Sequence, residues 1–568
     1  MPSLAASLTR AVPIALLAAS LARAVPIALL AAAAAGAQSP SSHFDDAAPI
    51  PAGMLRLRVA NIWTRYDERF ATGGATTPLG ASLSADSLGS AQLPRLLPIE
   101  AGLRTLASDP ALRLSLGRLR VASNARIVTT PIALEYGVTR RWSVGVLIPI
   151  VQTRRVAQAV VSGDSTHANA GVVPSGARGA AATQNLQVAI AYQRAADSLG
   201  VLLANCPGNP GASGCAAVNA NPADAGAART RALSFAAAVR MLGVSATTAI
   251  VAPRQSSDLA DTLDARRRQL NQRLQQYLGA SAGAATSVFT AATDFSFIDL
   301  QGRLGAPGLL AGPLGGGLDS IRTTERIGFG DIAVGTQFLV FDRFHHDASP
   351  PPRVQTRLAV GGAVRFATSR PDSAQSLVDI PTGDGAGLEL RSAWDMIAGH
   401  VGATVGARYA KSFGRTVQAP LLGDPESDFP YPLFGVRKRT SGDLFGFDLT
   451  ARMLLTETLA LDGHYGIERM GATRYDAVDA GLAIDPCPTC LGIVPLSVVT
   501  ESGNARTAQR LGMGARYSTV DAYARGRARY PVEVSFTRLS TVRGDAGLAR
   551  QSRDQIQVRL FYQVLKRR

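Results

Sequence analysis

Six histidines are the natural carriers of acid–base or metal chemistry: His43, His167, His345, His346, His400 and His464. Only His464 falls on the polar face of a stretch with two-residue alternation. Its surroundings, Asp462-Gly463-His464-Tyr465-Gly466, hold no serine. The nucleophile–base pair that a barrel hydrolase requires is therefore missing there. His345-His346-Asp347 has the residue types of a metal site, but three adjacent residues seldom close a coordination sphere. The triplet precedes Pro350 and reads as a solvated turn, so no metal is expected. Cys487-Pro488-Thr489-Cys490 is a C-x-x-C in a long loop, with no second pair for zinc, and reads as a structural disulfide. Cys206 and Cys215 bracket CPGNPGASGC, a loop that oxidation would staple. There is no GxxxxGK[ST] loop, dinucleotide fingerprint or nucleic-acid module, so neither a cofactor nor a nucleic-acid partner is expected.

Charged residues on alternating stretches are the other candidates. Glu135, Asp331, Arg357, Arg365, Glu389, Arg391, Asp395, Arg408, Asp448, Arg452, Asp462, His464, Glu468, Arg516, Glu533 and Arg559 share faces with Gly and Ala. The opposite faces are apolar. Charges of both signs turned away from water must pair, because an unpaired buried charge is costly. Two roles suit such a set: a charged constriction that selects solutes, or a salt-bridged interior that fills the space.

The elements that would position these charges are strands. Ile556, Val558, Leu560, Tyr562 and Val564 alternate with Gln557, Arg559, Phe561 and Gln563. Leu459, Leu461, Tyr465 and Ile467 alternate with Ala460, Asp462, His464 and Glu468. Period-two patterning marks strands with two different faces. Aromatics near the strand ends (Tyr136, Trp142, Trp394, Tyr409, Tyr562) fit a membrane-interface girdle. Tight turns at 139–141, 398–400 and 456–458 alternate with long loops at about 370–385, 415–440 and 471–504. Strands are expected near 54–67, 126–138, 142–155, 327–341, 354–368, 386–397, 401–413, 442–455, 459–470, 506–518, 529–541 and 553–565. An even count puts both chain ends on one side, and all the tight turns are expected there too. The fold class is all-β: a transmembrane antiparallel β-barrel of about 12 strands with a helical extracellular insertion.

Composition agrees with export and a barrel. The chain has 568 residues, a net charge of +16 and 18% charged residues, too apolar for a disordered polyelectrolyte. After the N-terminus no apolar run is long enough for a membrane helix, which leaves a barrel possible. Residues 1–37 read as a signal peptide, with Arg10 and Arg23 ahead of an apolar stretch and Ala35-Gly36-Ala37 before Gln38. Its segment RAVPIALLAA occurs twice, at 10–19 and 23–32. The mature chain then divides into first barrel strands at 38–157, an insertion at 158–326 and the remaining strands at 327–568. Helices are expected in the insertion at about 180–204, 223–242 and 256–279, forming a cap or a plug. Residues 68–125 are expected as a second long outer loop.

The string LEYGVTRRWSVGVLIPIV (134–151) resembles a hairpin of an outer-membrane barrel family, the transporters of the meta-pathway of phenol degradation. GFGDIAVGTQF (328–338) resembles its GxGD signature. RLAVGGAVRFATSR (357–370) with IPTGDGAGLELRSAWD (380–395) resembles its paired strands around a PTGD loop. The family is related in architecture to channels of the fatty-acid and toluene type. The resemblance implies passage of small organic molecules across the outer membrane, with lipid and a small-molecule solute as partners. Such barrels are inserted by the barrel-assembly machinery, which reads the last strand. Here that strand ends in Leu565-Lys566-Arg567-Arg568, with Phe561 and Tyr562 nearby.

Two functions follow. One is a channel for small hydrophobic or aromatic compounds. The other is a non-conducting surface barrel whose insertion binds a partner or glycolipid. An axial path favours the first, and a lumen sealed by paired charges favours the second.

Overall fold

The computed structural model describes residues 46–563 apart from 164–167, 304–305, 313–314, 316, 345–353, 372, 374, 422–428, 430–432, 478–481, 485–492, 496–499 and 503–504. The leader at 1–37, His43, His167, the His345-His346-Asp347 triplet and the Cys487–Cys490 pair lie outside the described residues.

Twelve antiparallel strands close into a barrel. They are β1 (Met54–Phe70), β2 (Arg118–Gly137), β3 (Trp142–Ser162), β4 in two segments (Thr324–Phe329 and Ala333–Asp342), β5 (Gln355–Arg365), β6 (Gly387–Ala398), β7 (Val401–Ser412), β8 (Leu444–Leu454), β9 (Leu459–Met470), β10 (Arg506–Ser518), β11 (Val532–Gly544) and β12 (Ala549–Gln563). Each strand pairs with its sequence neighbours, and β12 pairs with β1 from Met54↔Gln563 to Arg69↔Ala549 to complete the ring.

The reason these segments form strands is visible on the two faces. Phe338, Val360, Leu390, Trp394, Phe445, Leu461, Met513, Phe536, Ile556 and Tyr562 are exposed. Arg56, Glu135, Asp395, Asp462 and Arg559 are buried. That is the reverse of a water-soluble barrel, and it is what a bilayer requires. Indole N–H groups on this apolar exterior find neighbours across the ladder. Trp142 Nε1 donates to Thr336 Oγ1 and Trp394 Nε1 to Thr356 Oγ1, both at 2.6 Å.

One end of the barrel carries the connections at 138–141, 399–400 and 455–458, together with the start of β1 and the end of β12. The other end carries the long connections. One expectation fails here. Asp545–Leu548 is a tight turn at the long-loop end, closed by Leu548 N donating to Asp545 O at 3.1 Å. Strands β11 and β12 run further outward than their apolar alternation suggests, so the loop between them shrinks to four residues.

The β2–β3 hairpin stays in register for the whole length from Gly137↔Ser143 to Arg118↔Ser162. Twenty residues at about 3.3 Å each rise roughly 50 Å at the usual barrel tilt, well beyond a hydrocarbon core. Its projecting end carries a helical cap. Within residues 68–125, expected as loop, the chain instead forms α1 (Leu97–Ala107) and the first turn-outs of β2. The insertion supplies α2 (Arg178–Asn205), α3 (Pro222–Met241) and α4 (Asp258–Leu278). Asn221 caps α3 by accepting from Asp224 N, and Ser257 caps α4 by accepting from Ala260 N. Leu103, Leu106, Tyr192, Phe235, Leu263 and Leu274 share one apolar core, so 83–121 and the insertion fold together. Cys206 and Cys215 are disulfide-bonded beside it. The 415–440 connection is also partly sheet: Arg415–Pro420 pairs with Phe434–Thr440 above β7 and β8.

Candidate functional site

The buried faces of the strands meet in a layered ionic network. At the short-turn end Arg56 and Arg58 of β1 both engage Glu135 of β2, the second at 3.6 Å. A chain of pairs then runs around the ring. Arg559 binds Glu533 at 2.9 Å, and Arg516 reaches both Glu533 at 3.5 Å and Asp462 at 3.6 Å. Arg452 binds Asp462 at 2.8 Å. Arg357 binds Asp395 at 2.8 Å, and Thr404 Oγ1 donates to the same carboxylate. These pairs are cross-strand neighbours, which is why alternation alone brings them together.

Residues 46–53 enter this layer. Asp46 accepts from Arg559 at 2.7 Å, and its carbonyl accepts from Gln337 Nε2 at 2.8 Å. Ala47 packs against Leu339, Ala359 and Ala393. The short-turn end of the lumen is thus occupied by protein.

Further along, Glu468 binds Arg408 at 3.0 Å and Arg510 at 2.7 Å. Asp448 neighbours this cluster, close to Gly466. His464 shares a 2.9 Å hydrogen bond between Nδ1 and Thr450 Oγ1. Among the described residues no group of three or more His, Cys, Asp or Glu is arranged to hold a metal. Gln337, Gly361, Gly362, Glu389 and Arg391 line a recess of about 20 Å³. That is room for a water molecule, not an aromatic solute.

The wall itself changes character at β4. Its two segments pair with different halves of β3: Thr324–Phe329 with Ile150–Arg155, and Ala333–Phe338 with Trp142–Leu147. Only the second segment is also paired to β5. The free edge of the first is covered by the 366–386 loop through side-chain contacts. Thr382 Oγ1 donates to Phe329 O, Thr324 Oγ1 to Val378 O, and Arg326 binds Asp379 at 2.9 Å.

Asp331 sits in the break between the segments, 5% exposed. It accepts from Gly385 N at 2.8 Å and Ser369 N at 3.1 Å. Arg365 donates to Gly385 O at 3.0 Å, and Arg415 to Ser369 O at 2.6 Å. A Cβ at Gly383 would stand 2.8 Å from the Ser369 side chain and closer still to Asp331 Oδ2. The Gly330-Asp331 and Thr382-Gly383 motifs, about fifty residues apart in sequence, therefore meet at one seam. Inside the seam Ile380 packs on Ile127, Val151, Tyr66 and Leu79, an apolar patch of the inner wall.

Sequence reasoning missed Asp46, Arg56, Arg58, Gln337 and Arg510. Arg56, Arg58 and Arg510 lie in alternating stretches and were open to the same rule that found Arg559. Asp46 belongs to no periodic element, so nothing local marks it.

The geometry defines a closed, twelve-stranded antiparallel barrel with an apolar exterior, a charged interior and a helical cap. No protein-family model matches the chain, and no curated protein matches it by sequence. Solved structures similar to it include an outer membrane channel from Pseudomonas putida F1, 8% identical, with TM-score 0.36 over 92% of this chain and 100% of that one. The toluene transporter TodX of P. putida is 8% identical, with TM-score 0.23 over 90% of each chain. The beta domain of the Bordetella autotransporter BrkA is 7% identical, with TM-score 0.24 over 89% of this chain and 99% of that one. Likenesses this distant identify no solute.

Proposed function

We propose that the chain is an outer-membrane channel for small hydrophobic or aromatic solutes, with the cap outside the cell and the short turns in the periplasm. The leader-like 1–37 segment and the apolar exterior support that location.

The observation that carries the solute class is the seam. Ions crossing along the axis would have to displace residues 46–53, which Asp46 ties to Arg559 and to Gln337 on different strands of the wall. Leaving sideways between β4 and β5 needs the 366–386 loop to lift, which parts the Phe366 N–Ile332 O and Asp319 N–Gln375 O bonds and draws Leu377 and Val378 from the cap core but breaks no strand ladder. The surface then uncovered, Ile127, Val151 and Tyr66, is apolar and is filled by Ile380 in the closed state. A solute taking the place of Ile380 must itself be apolar, because a polar one would lose its water without gaining partners. The resemblance of 134–151, 328–338 and 380–395 to phenol meta-pathway transporters supports aromatic compounds as the class. In this reading Glu389, Arg391, Arg365 and Arg408 face the lumen on the cap side of residues 46–53.

The test is uptake of an uncharged aromatic fluorophore by cells with the barrel in their outer membrane. Faster uptake than in empty-vector cells, without added ion conductance, is expected. Equal uptake from a folded barrel would instead favour the non-conducting scaffold, a reading to which the sealed floor and ordered cap lend their own support.

A further inference from the structure

Three arginines stand side by side on the outside of the wall. Arg65 of β1 is directly opposite Arg126 of β2, and Arg126 is directly opposite Arg154 of β3. All three are exposed, and none has a side-chain hydrogen bond or ion pair among the described residues. Opposed side chains on antiparallel strands begin about 5 Å apart, so the three guanidiniums fall within about 10 Å. Like charges in direct opposition destabilise a sheet, and nothing in the folding of the wall calls for this row. Nearby acids offset the row only in part and, among the described residues, form no ion pair with it. Glu325 lies opposite Arg154 and accepts from Gln152 Nε2 at 2.8 Å. Asp67 follows Arg65 across a register shift, and Glu68 is held by Arg550 at 2.8 Å.

The depth of the row is informative. One step toward the short-turn end, the same outer faces align Trp63, Val128, Gln152 and Ile327. One step further Ile150 opposes Phe329, both exposed. The arginines therefore sit where the apolar belt ends, beside an indole, on the capped side of the barrel. That is the level at which acyl chains give way to headgroups. A guanidinium offers paired donors in the geometry of a phosphate, and several together bind one in a bidentate manner.

We propose that Arg65, Arg126 and Arg154 bind the phosphate of a phosphorylated outer-leaflet glycolipid, whose acyl chains lie along Trp63, Val128, Ile327 and Phe329. This rests on the reading that the barrel spans the outer membrane with its cap outside. It places an ordered lipid against β3 and the outer segment of β4, next to the seam.

Native mass spectrometry of the refolded mature protein tests it, with diphosphorylated lipid A, its dephosphorylated form and inorganic phosphate as probes. The wild type should retain diphosphorylated lipid A. R65Q/R126Q/R154Q should retain it about tenfold less or worse, and R126K should fall between the wild type and R126Q, because an ammonium keeps the charge and loses the paired donors. A heat-modifiable gel shift checks that each barrel is folded. Should the triple variant not fold, R126Q alone decides, through a weaker dependence of lipid retention on salt. Equal retention by the variants overturns the site. So does equal binding of the dephosphorylated lipid, or displacement by equimolar inorganic phosphate. Failure of the wild type to insert into neutral phosphatidylcholine vesicles would instead overturn the membrane reading beneath it.

Discussion

Replacing Asp331 by alanine should open the seam. The carboxylate is buried and accepts two backbone N–H groups, from Ser369 and Gly385, at opposite ends of the loop that covers β4. A hydrogen bond to a charged group contributes about 1.5–3 kcal/mol, and its loss leaves a buried donor unsatisfied. Two such bonds give roughly 3–6 kcal/mol, so even the lower bound raises the undocked population of the loop about 150-fold. Asp331→Asn keeps one acceptor oxygen and should have about half the effect in free energy. The assay is hydrogen exchange of the Ser369 and Gly385 amides in the folded barrel, run beside aromatic-probe uptake. Protection at both amides should fall by roughly two orders of magnitude while the β6–β7 ladder is unaffected. Gly383→Ala should act in the same direction, because its Cβ collides with both Asp331 and Ser369. Unchanged protection in Asp331→Ala would refute the latch. Lost protection without faster uptake would keep the latch and refute the seam as a route.

Three other perturbations probe separate parts of the molecule. Asp46→Ala removes the carboxylate bonded to Arg559, so residues 46–53 should leave the lumen about tenfold more often. Single-channel steps in a planar bilayer, absent from the wild type, would register this, and continued silence would mean another contact holds the segment. Cys206→Ser with Cys215→Ser frees a short loop, which should lower cap stability by about 2–3 kcal/mol. The cap's helical melting transition should drop while the gel shift of the barrel stays the same. Asp224 is held below the ordinary carboxylate range by the Tyr277 hydroxyl and then by Arg273. A depressed folded-state pKa stabilises fully above that range and is lost as pH falls through it. Cap melting should therefore weaken below about pH 4 in the wild type and show a smaller pH dependence in Asp224→Asn.

The wall was legible because its chemistry repeats every second residue. Wherever one face met lipid and the other met the ion pairs, as from Phe445 to Met453, the alternation located the strand. The long helices were legible from their alanine-rich composition, and α4 also from Leu259, Leu263, Leu270 and Leu274 on one face. What failed lay outside the lipid belt. Residues 118–125 project into the cap region, where the outward positions Arg118, Arg120 and Asn124 are polar and Leu119 and Val121 face the cap core, the reverse of the lipid-facing pattern. Helix α1 carries Pro98 and Gly102, which read as breakers. Gly102 is instead required by close packing, since a Cβ there would lie 2.9 Å from Ala238 O on α3. The seam was half visible: Gly330-Asp331 stood out as a motif, but its partners Ser369 and Gly385 are fixed only by the folded loop.

The cap and the seam form one mechanical unit. Leu377 and Val378 lie in the same loop as Asp379, Ile380 and Thr382, yet their side chains are buried in the cap core with Leu103, Leu263 and Leu274. Two residues later Ile380 is half-buried against the inner wall. The loop is therefore held near both ends by Asp331, and in its middle by the cap core through Leu377 and Val378 and by β4 through Asp379 and Thr382. Any event that shifts the cap core changes the free energy of loop docking, because Leu377 and Val378 cannot stay buried in both arrangements. A cap that served only as a binding scaffold would have no need of these two side chains. Leu377→Ala with Val378→Ala should cost the cap about 2–4 kcal/mol of apolar burial and loosen the loop along with it. A loss of cap stability with full protection retained at Ser369 and Gly385 would show that the two are independent, and the gate would then reside in the loop alone.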